Sequence, residues 1–197
     1  MSFNILSPTE VANMVRKVFN NAPAKCNSLR TIADIKPPAN SSTAKMIFET
    51  ILRSNTEVNV AFIDEGDESV VPMYEHNVKT VFIRTDKTYV LTEYADRPIM
   101  DFTVLLYHEF GHAKQDIEGD LARLVKEDSS GIPIGGTAMG WENGVKVAKI
   151  RRGKTSQYVH HGFAVNVETN NMRRHEWPMS MEMGLPRRSE YKDLQEV

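Results

Sequence analysis

His108-Glu109-Phe110-Gly111-His112 is the stretch of this sequence whose residue types and spacing carry chemistry. An α-helix turns about 100° per residue, so His108 and His112 lie only ~40° apart on one face. Two imidazoles one turn apart can hold the same tetrahedral ion. Glu109 stands ~100° round from His108, close enough to reach a water at that ion but poorly placed as a ligand. The pattern divides into two metal ligands and one general base, the division of labour of a zinc hydrolase. The flanking Val104, Leu105, Leu106 and Phe110 predict a buried helix, and a rigid buried element is what holds ligand geometry. The competing reading is a chance match, against which the apolar flanks and helical context weigh.

Two histidines do not complete a catalytic zinc site; a third protein ligand is required. Cys26 is the only cysteine, so that ligand must be His, Asp or Glu, and no intrachain disulfide can form. Downstream, Glu142, His160, His161, Glu168, His175, Glu176 and Glu182 are candidates. His161 and Glu168 share a helical face but stand ~10.5 Å apart in rise, so only one of them can bind. Ala164, Val165 and Val167 predict that the helix carrying Glu168 packs into the core, which favours Glu168. His161 comes second, because Gly162 weakens that helix end, and Glu142, beside Trp141, third. Glu182 and His175 read better as surface or capping groups.

The elements that must position these residues follow from periodicity. Ser7-Pro8-Thr9-Glu10 has capping-box spacing and opens a helix with Val11, Met14, Val15 and Val18 at helical intervals. A second helix is predicted over 44–53. Val58, Val60 and Phe62 alternate as in a strand, and residues 79–84 and 88–91 predict a hairpin joined through Thr85-Asp86-Lys87. Asp96 is the expected N-cap of the long helix carrying the histidines, with Gly119 as its stop. A helix over about 161–175 is expected, after a Gly-rich stretch, 131–140, that would form the rim of a substrate cleft or a plain linker. The pattern gives an α+β fold in a single domain, 1–197. It comprises an N-terminal helical part (1–55), a sheet with the active-site helix (56–120), and a C-terminal part with the third ligand (121–197).

Composition bounds the partners. With 24 Lys and Arg against 26 Asp and Glu, the net charge of −2 gives no footprint for nucleic acid or an acidic membrane. No apolar run reaches the ~20 residues needed to span a bilayer. Residues 1–15 lack a basic region followed by an apolar one, so no secretory signal is recognised. A cytoplasmic location, or secretion without a classical signal into a target cell, is the expectation.

Gly184-Leu185-Pro186-Arg187-Arg188-Ser189-Glu190-Tyr191 resembles the Gly-Leu-Pro-x-Arg-x-x-Tyr ending of the NleD-like effector metallopeptidases, found in secreted bacterial effectors and polymorphic toxins. Ala164-Val165-Asn166-Val167-Glu168-Thr169 is similar to the family's Ala-Val-x-Val-Glu-Asn helix, with Thr169 in place of the usual Asn. A further acidic position common in the family falls near His161 or Phe163 here, where this chain departs. The likeness covers roughly residues 100–191, and His175 to Ser180 looks like an insertion. The resemblance implies a zincin-like domain whose small, mostly antiparallel sheet packs on the His-Glu-x-x-His helix. It implies one catalytic Zn2+ on His108, His112 and Glu168, Glu109 as base, and endopeptidase activity on a protein or peptide inside a target cell. Within the matching ending, Arg188 is a candidate to grip a carboxylate bidentately, a supporting acid or Glu168 itself. Tyr191 is a candidate donor to the oxyanion of a tetrahedral intermediate. For both, a purely structural role competes. The alternative for the whole chain is a catalytically silent zincin-fold structural or interaction protein of a phage or injection-system particle, with an assembly partner.

Overall fold

Each helix of the N-terminal half is started by a local polar device. The Glu10 carboxylate accepts from both the backbone N–H (2.8 Å) and the hydroxyl (2.6 Å) of Ser7, so the first helix begins at Pro8. The second begins at Ser42, capped by Ser41, whose Oγ accepts from the Ala44 N–H at 3.0 Å. The computed structural model describes residues 3–130, 138–142, 145–152, 155–159, 165–188 and 194–197. In chain order the elements are β1 (Phe3–Ile5), α1 (Pro8–Val18), β2 (Ala24–Lys25), α2 (Ser42–Arg53), β3 (Val58–Ile63), β4 (Glu65–Gly66), β5 (Met73–Glu75), β6 (Thr80–Arg84) and β7 (Tyr89–Leu91). There follow α3 (Phe102–Ile117), α4 (Asp120–Ser130), β8 (Ala138–Glu142), β9 (Val145–Arg152), β10 (Thr155–Val159), α5 (Val165–Asn171), α6 (Trp177–Met183) and β11 (Leu194–Glu196).

The architecture is α+β, around a four-stranded sheet of order β1-β3-β6-β5. Alternation along the strands makes two cores. Val58, Val60, Phe62, Val81 and Ile83 pack with Ile47 and Ile51 of α2 and with Val104, Tyr107 and Phe110 of α3. Ala61, Ile63 and Phe82 face the other way, onto Val11 and Val15 of α1. The sheet beneath α3 is therefore covered on both faces. It is also not mostly antiparallel, as expected: β1 with β3 and β3 with β6 run parallel, and only β5 runs antiparallel to β6. For the first pair the cause is β1, which with three residues is too short to announce a period, α1 and α2 forming the long crossover that a parallel partner requires; β3 and β6 are joined through residues 64–79, which carry β4 and β5. The smaller sheets, β8-β9-β10, β7-β11 and β2-β4, are antiparallel.

Two further expectations are corrected. Residues 79–91 do not form a hairpin. A strand has two edges, and both edges of β6 are taken by β3 and β5, so β7 pairs instead with β11, Leu91 opposite Leu194. Nor does Asp96 cap α3. Residues 98–100 are drawn against β7 by bonds from Leu91 N–H to Pro98 O (2.9 Å) and from Met100 N–H to Tyr89 O (2.8 Å). The helix starts only after Asp101, whose carboxylate accepts from the Thr103 N–H at 2.8 Å. Gly119, at φ +79°, ends it in the left-handed conformation that glycine takes without strain. Among the described residues no helix is long and apolar enough to cross a membrane.

Glu182 joins the C-terminal helix to the start of α2. Its carboxylate accepts from the Ser41 and Ser42 hydroxyls (2.7 and 2.5 Å) and from the N–H and hydroxyl of Thr43 (3.0 and 2.9 Å). Burial raises its pKa, but these bonds outweigh burial and hold it at about 2. A folded pKa below the unfolded value of about 4.5 contributes stability above that value, and loses it as pH falls toward 2. The denaturation midpoint of the wild type should exceed that of Glu182→Gln at pH 6, and the gap should close in titrations carried to pH 2.5.

Candidate metal centre

Every residue of α3 from Val104 to Gln115 is buried, so the helix is fixed on all sides before any ligand binds. His108 and His112 face one another one turn apart, with 3.2 Å between their Nε2 atoms. Glu168, on α5, brings its Oε2 to 3.2 Å from His108 Nε2 and 3.3 Å from His112 Nε2. These three atoms form a nearly equilateral triangle. Donors ~2.0–2.1 Å from a tetrahedral zinc stand about 3.3–3.4 Å apart, so the triangle has the edge length that one ion would set. Glu168 Oε2 is buried, and no hydrogen bond reaches it among the described residues. A buried carboxylate oxygen left in this way costs free energy unless a cation meets it. His108, His112 and Glu168 are the described group placed to hold a metal ion.

The remaining ring nitrogens fix the tautomers. His108 Nδ1 donates to Glu176 Oε2 at 2.7 Å, and His112 Nδ1 to Gln115 Oε1 at 2.9 Å, leaving both Nε2 lone pairs directed at the triangle. Gln115 in turn donates through Nε2 to Val167 O (3.1 Å) and Asn170 Oδ1 (2.9 Å), tying α3 to the helix that carries Glu168. Glu176 is gripped by Arg188, whose Nε lies 2.9 Å from Oε1 and Nη2 2.6 Å from Oε2. Burial would raise the pKa of Glu176, but Arg188 first and then His108 bring it down to about 2. Burial lowers the pKa of His108 and His112, but Glu168 and the neighbouring carboxylates outweigh burial and raise both, so the site favours positive charge between the two rings and Glu168, where a divalent cation would replace the protons.

No family model, no curated protein and no solved structure matches this chain.

The second helix owes its reach to an irregularity. Residues 165–183 run continuously, but Met172–Glu176 form a π turn, with the Trp177 N–H bonded to Met172 O, five residues back. Pro178 follows; it has no N–H to give, and an inserted wide turn is one way a helix accommodates such a residue. The turn lies where this helix meets Gly111. A Cβ there would come within 2.0 Å of Asn171 Oδ1 and 2.8 Å of His175 Nδ1, so the close approach of the two helices requires glycine. Asn171 donates to His108 O at 2.7 Å, and His175 Nδ1 lies 2.7 Å from Asn171 Oδ1. At the far end Gly184, φ +68°, stops the helix, and the Leu185 N–H reaches back to Ser180 O at 2.8 Å. Pro186 prevents continuation, and the Trp177 indole N–H donates to Arg188 O at 2.8 Å. The Gly-Leu-Pro-x-Arg run is thus a helix stop that returns Arg188 to Glu176.

The triangle opens on a cleft of about 380 Å³ lined by Glu109, His112 and Glu168 together with residues of β5, α4 and the segment before β5. Glu109 is buried, and desolvation raises its pKa against the lowering by His108 and His112. The structure thus brings together His108, Glu109, His112 and Glu168. It places Arg188 on Glu176 rather than on Glu168. His175 bonds Asn171, Glu182 bonds the start of α2, and Glu142 is the last residue of β8. His160, His161 and Tyr191 lie outside the described residues, as does the Gly-rich stretch through residue 137. Glu176, Gln115 and Asn171 are members of the site that the motif search did not assign. Their trace in sequence is slight: Asn171 and Glu176 are polar positions near the core-like Met172 and Met179, and Gln115 stands in the last turn of α3.

Proposed function

We propose that this chain is a zinc-dependent endopeptidase of effector or toxin type, a zincin-like domain hydrolysing a peptide bond of a protein substrate. The observation that carries this reading is the triangle of His108 Nε2, His112 Nε2 and Glu168 Oε2, with its unbonded buried oxygen, beside Glu109 in an open cleft. His108, His112 and Glu168 would hold the ion; when bound, zinc polarises a substrate carbonyl and brings the pKa of water near 7. Glu109 then holds the attacking water, takes its proton on the carboxylate and returns it to the departing amine. Its raised pKa suits a group that must carry a proton and release it again within one turnover. Strand β5, at the edge of the sheet and along the cleft, offers a backbone rail for an extended peptide. The likeness of residues 164–169 and 184–191 to the NleD-like metallopeptidases supports the same reading, with action inside a target cell.

The test is elemental analysis of the purified protein joined to cleavage of a broad protein library. One zinc per chain is expected, with hydrolysis that disappears in Glu109→Gln while the zinc remains. Bound zinc without Glu109-dependent hydrolysis would remove the peptidase reading and leave the structural-protein alternative.

A further inference from the structure

The cleft beside the metal triangle has a chemical bias of its own. Its floor is polar, with Glu109, His112 and Glu168. Its walls are mostly apolar: Val71, Pro72 and Met73 from the segment at β5, and Leu121, Ala122 and Val125 from α4, with Tyr74 and His76 as the polar residues beside them. Leu121 and Val125 are one turn apart on α4 and Ala122 adjoins them, so the three share a face. Leu124, about 60° round the helix from Leu121, is fully buried, whereas Ala122 and Val125 stand exposed and Leu121 is half-buried between them and the core. Val71 and Val125 are each 44% exposed, large apolar side chains left in solvent, and both line this cleft. β5 pairs with β6 along one edge, and among the described residues nothing pairs with the other. Asp116, which also lines the cleft, is occupied by the Tyr74 hydroxyl (2.7 Å) and Lys79 Nζ (2.6 Å). Both bonds fall on Oδ2, and the Lys79 ammonium pairs the Asp116 charge from outside the apolar walls.

We infer that the cleft selects a bulky apolar side chain next to the scissile bond of an extended peptide, seating it between α4 and the segment 71–73. The inference rests on the peptidase reading and names its substrate class. An apolar-walled cavity with few polar groups at one end fixes an orientation: the side chain enters the walls while the backbone carbonyl stays at the polar floor. Removing solvent from Val71 and Val125 supplies the binding preference.

Incubating the zinc-loaded protein with peptides from a digested proteome, and identifying cleaved bonds by mass spectrometry, tests this. Leu, Ile, Met, Val or Phe should dominate one position flanking the cut. Val125→Asp and, separately, Val71→Asp should lower kcat/KM for apolar peptides by about tenfold or more. Because both side chains are half exposed, zinc content and thermal midpoint should stay at wild-type values. Glu109-dependent cleavage with no apolar preference, or with a profile that neither substitution alters, would overturn the inference and leave the peptidase reading standing. No cleavage of any peptide by zinc-loaded protein would overturn both.

Discussion

Gly111→Ala is expected to destabilise the protein by about 1–3 kcal/mol, the reverse of what helix propensity alone dictates. In an exposed helix interior, Gly→Ala gains about 1 kcal/mol. Here the new Cβ would lie 2.0 Å from Asn171 Oδ1 and 2.8 Å from His175 Nδ1, both in fully packed surroundings. Asn171 must then swing away, abandoning its bond to His108 O, or the helix of residues 165–183 must move off α3. The first route leaves buried polar groups unmatched at about 1–3 kcal/mol. The second opens the packing, at a comparable cost of about 1–3 kcal/mol. The second also displaces Glu168 from the histidines, so along that route zinc affinity should fall together with stability. Urea denaturation measures the loss, and a double-mutant cycle locates it. In an Asn171→Ala background the closer clash is gone and only His175 Nδ1, at 2.8 Å, remains, so Gly111→Ala should cost less than in the wild type. Equal costs in the two backgrounds would place the role of Gly111 elsewhere than in this contact.

The same residues show where sequence reasoning reaches and where it stops. His108, Glu109 and His112 are legible because one helix places all three, and helical geometry is local. Glu168 is legible more weakly, through the apolar residues around it, since its distance to the histidines depends on how two helices dock. Glu176 is among the downstream candidates, but its place beside Glu168 is not legible, for a definite reason. Eight residues of regular α-helix separate it from Glu168 by ~12 Å of rise and ~80° of turn, so the sequence suggests no shared site. His108 joins them, with its two ring nitrogens facing the two carboxylates, and the π turn over 172–176 adjusts the angle. No propensity announces a π turn; Pro178 is the nearest signal. The fold follows the same rule. α1 and the strand alternation of β3 are local and readable, whereas the pairing of β7 with β11 reflects competition for the edges of β6, a property of the whole sheet.

Arg188 is the second position at which a single change should act strongly, and its effects separate folding from metal capture. Arg188 and Glu176 have side chains each 1% exposed, with Nε and Nη2 of the guanidinium bonded to both carboxylate oxygens. Arg188→Met keeps the length of the side chain and leaves Glu176 charged in the interior without this counterion. Breaking one half of a buried pair in this way costs about 3–5 kcal/mol. Removing both charges is a different perturbation, because the desolvation penalty of each disappears with it. In Arg188→Met/Glu176→Leu, part of the lost stability should therefore return. Zinc affinity should not return with it. Glu176 is also the acceptor that holds His108 Nδ1–H and turns Nε2 toward Glu168, and deleting such a partner weakens metal binding by about 10–100-fold. Denaturation with a chelator present reads the first quantity, and competition with a chromophoric zinc chelator reads the second. A double variant that recovers both would mean that the pair serves packing alone; one that recovers stability while still binding zinc weakly would assign Glu176 to the orientation of His108 and Arg188 to keeping that carboxylate ionised in the core.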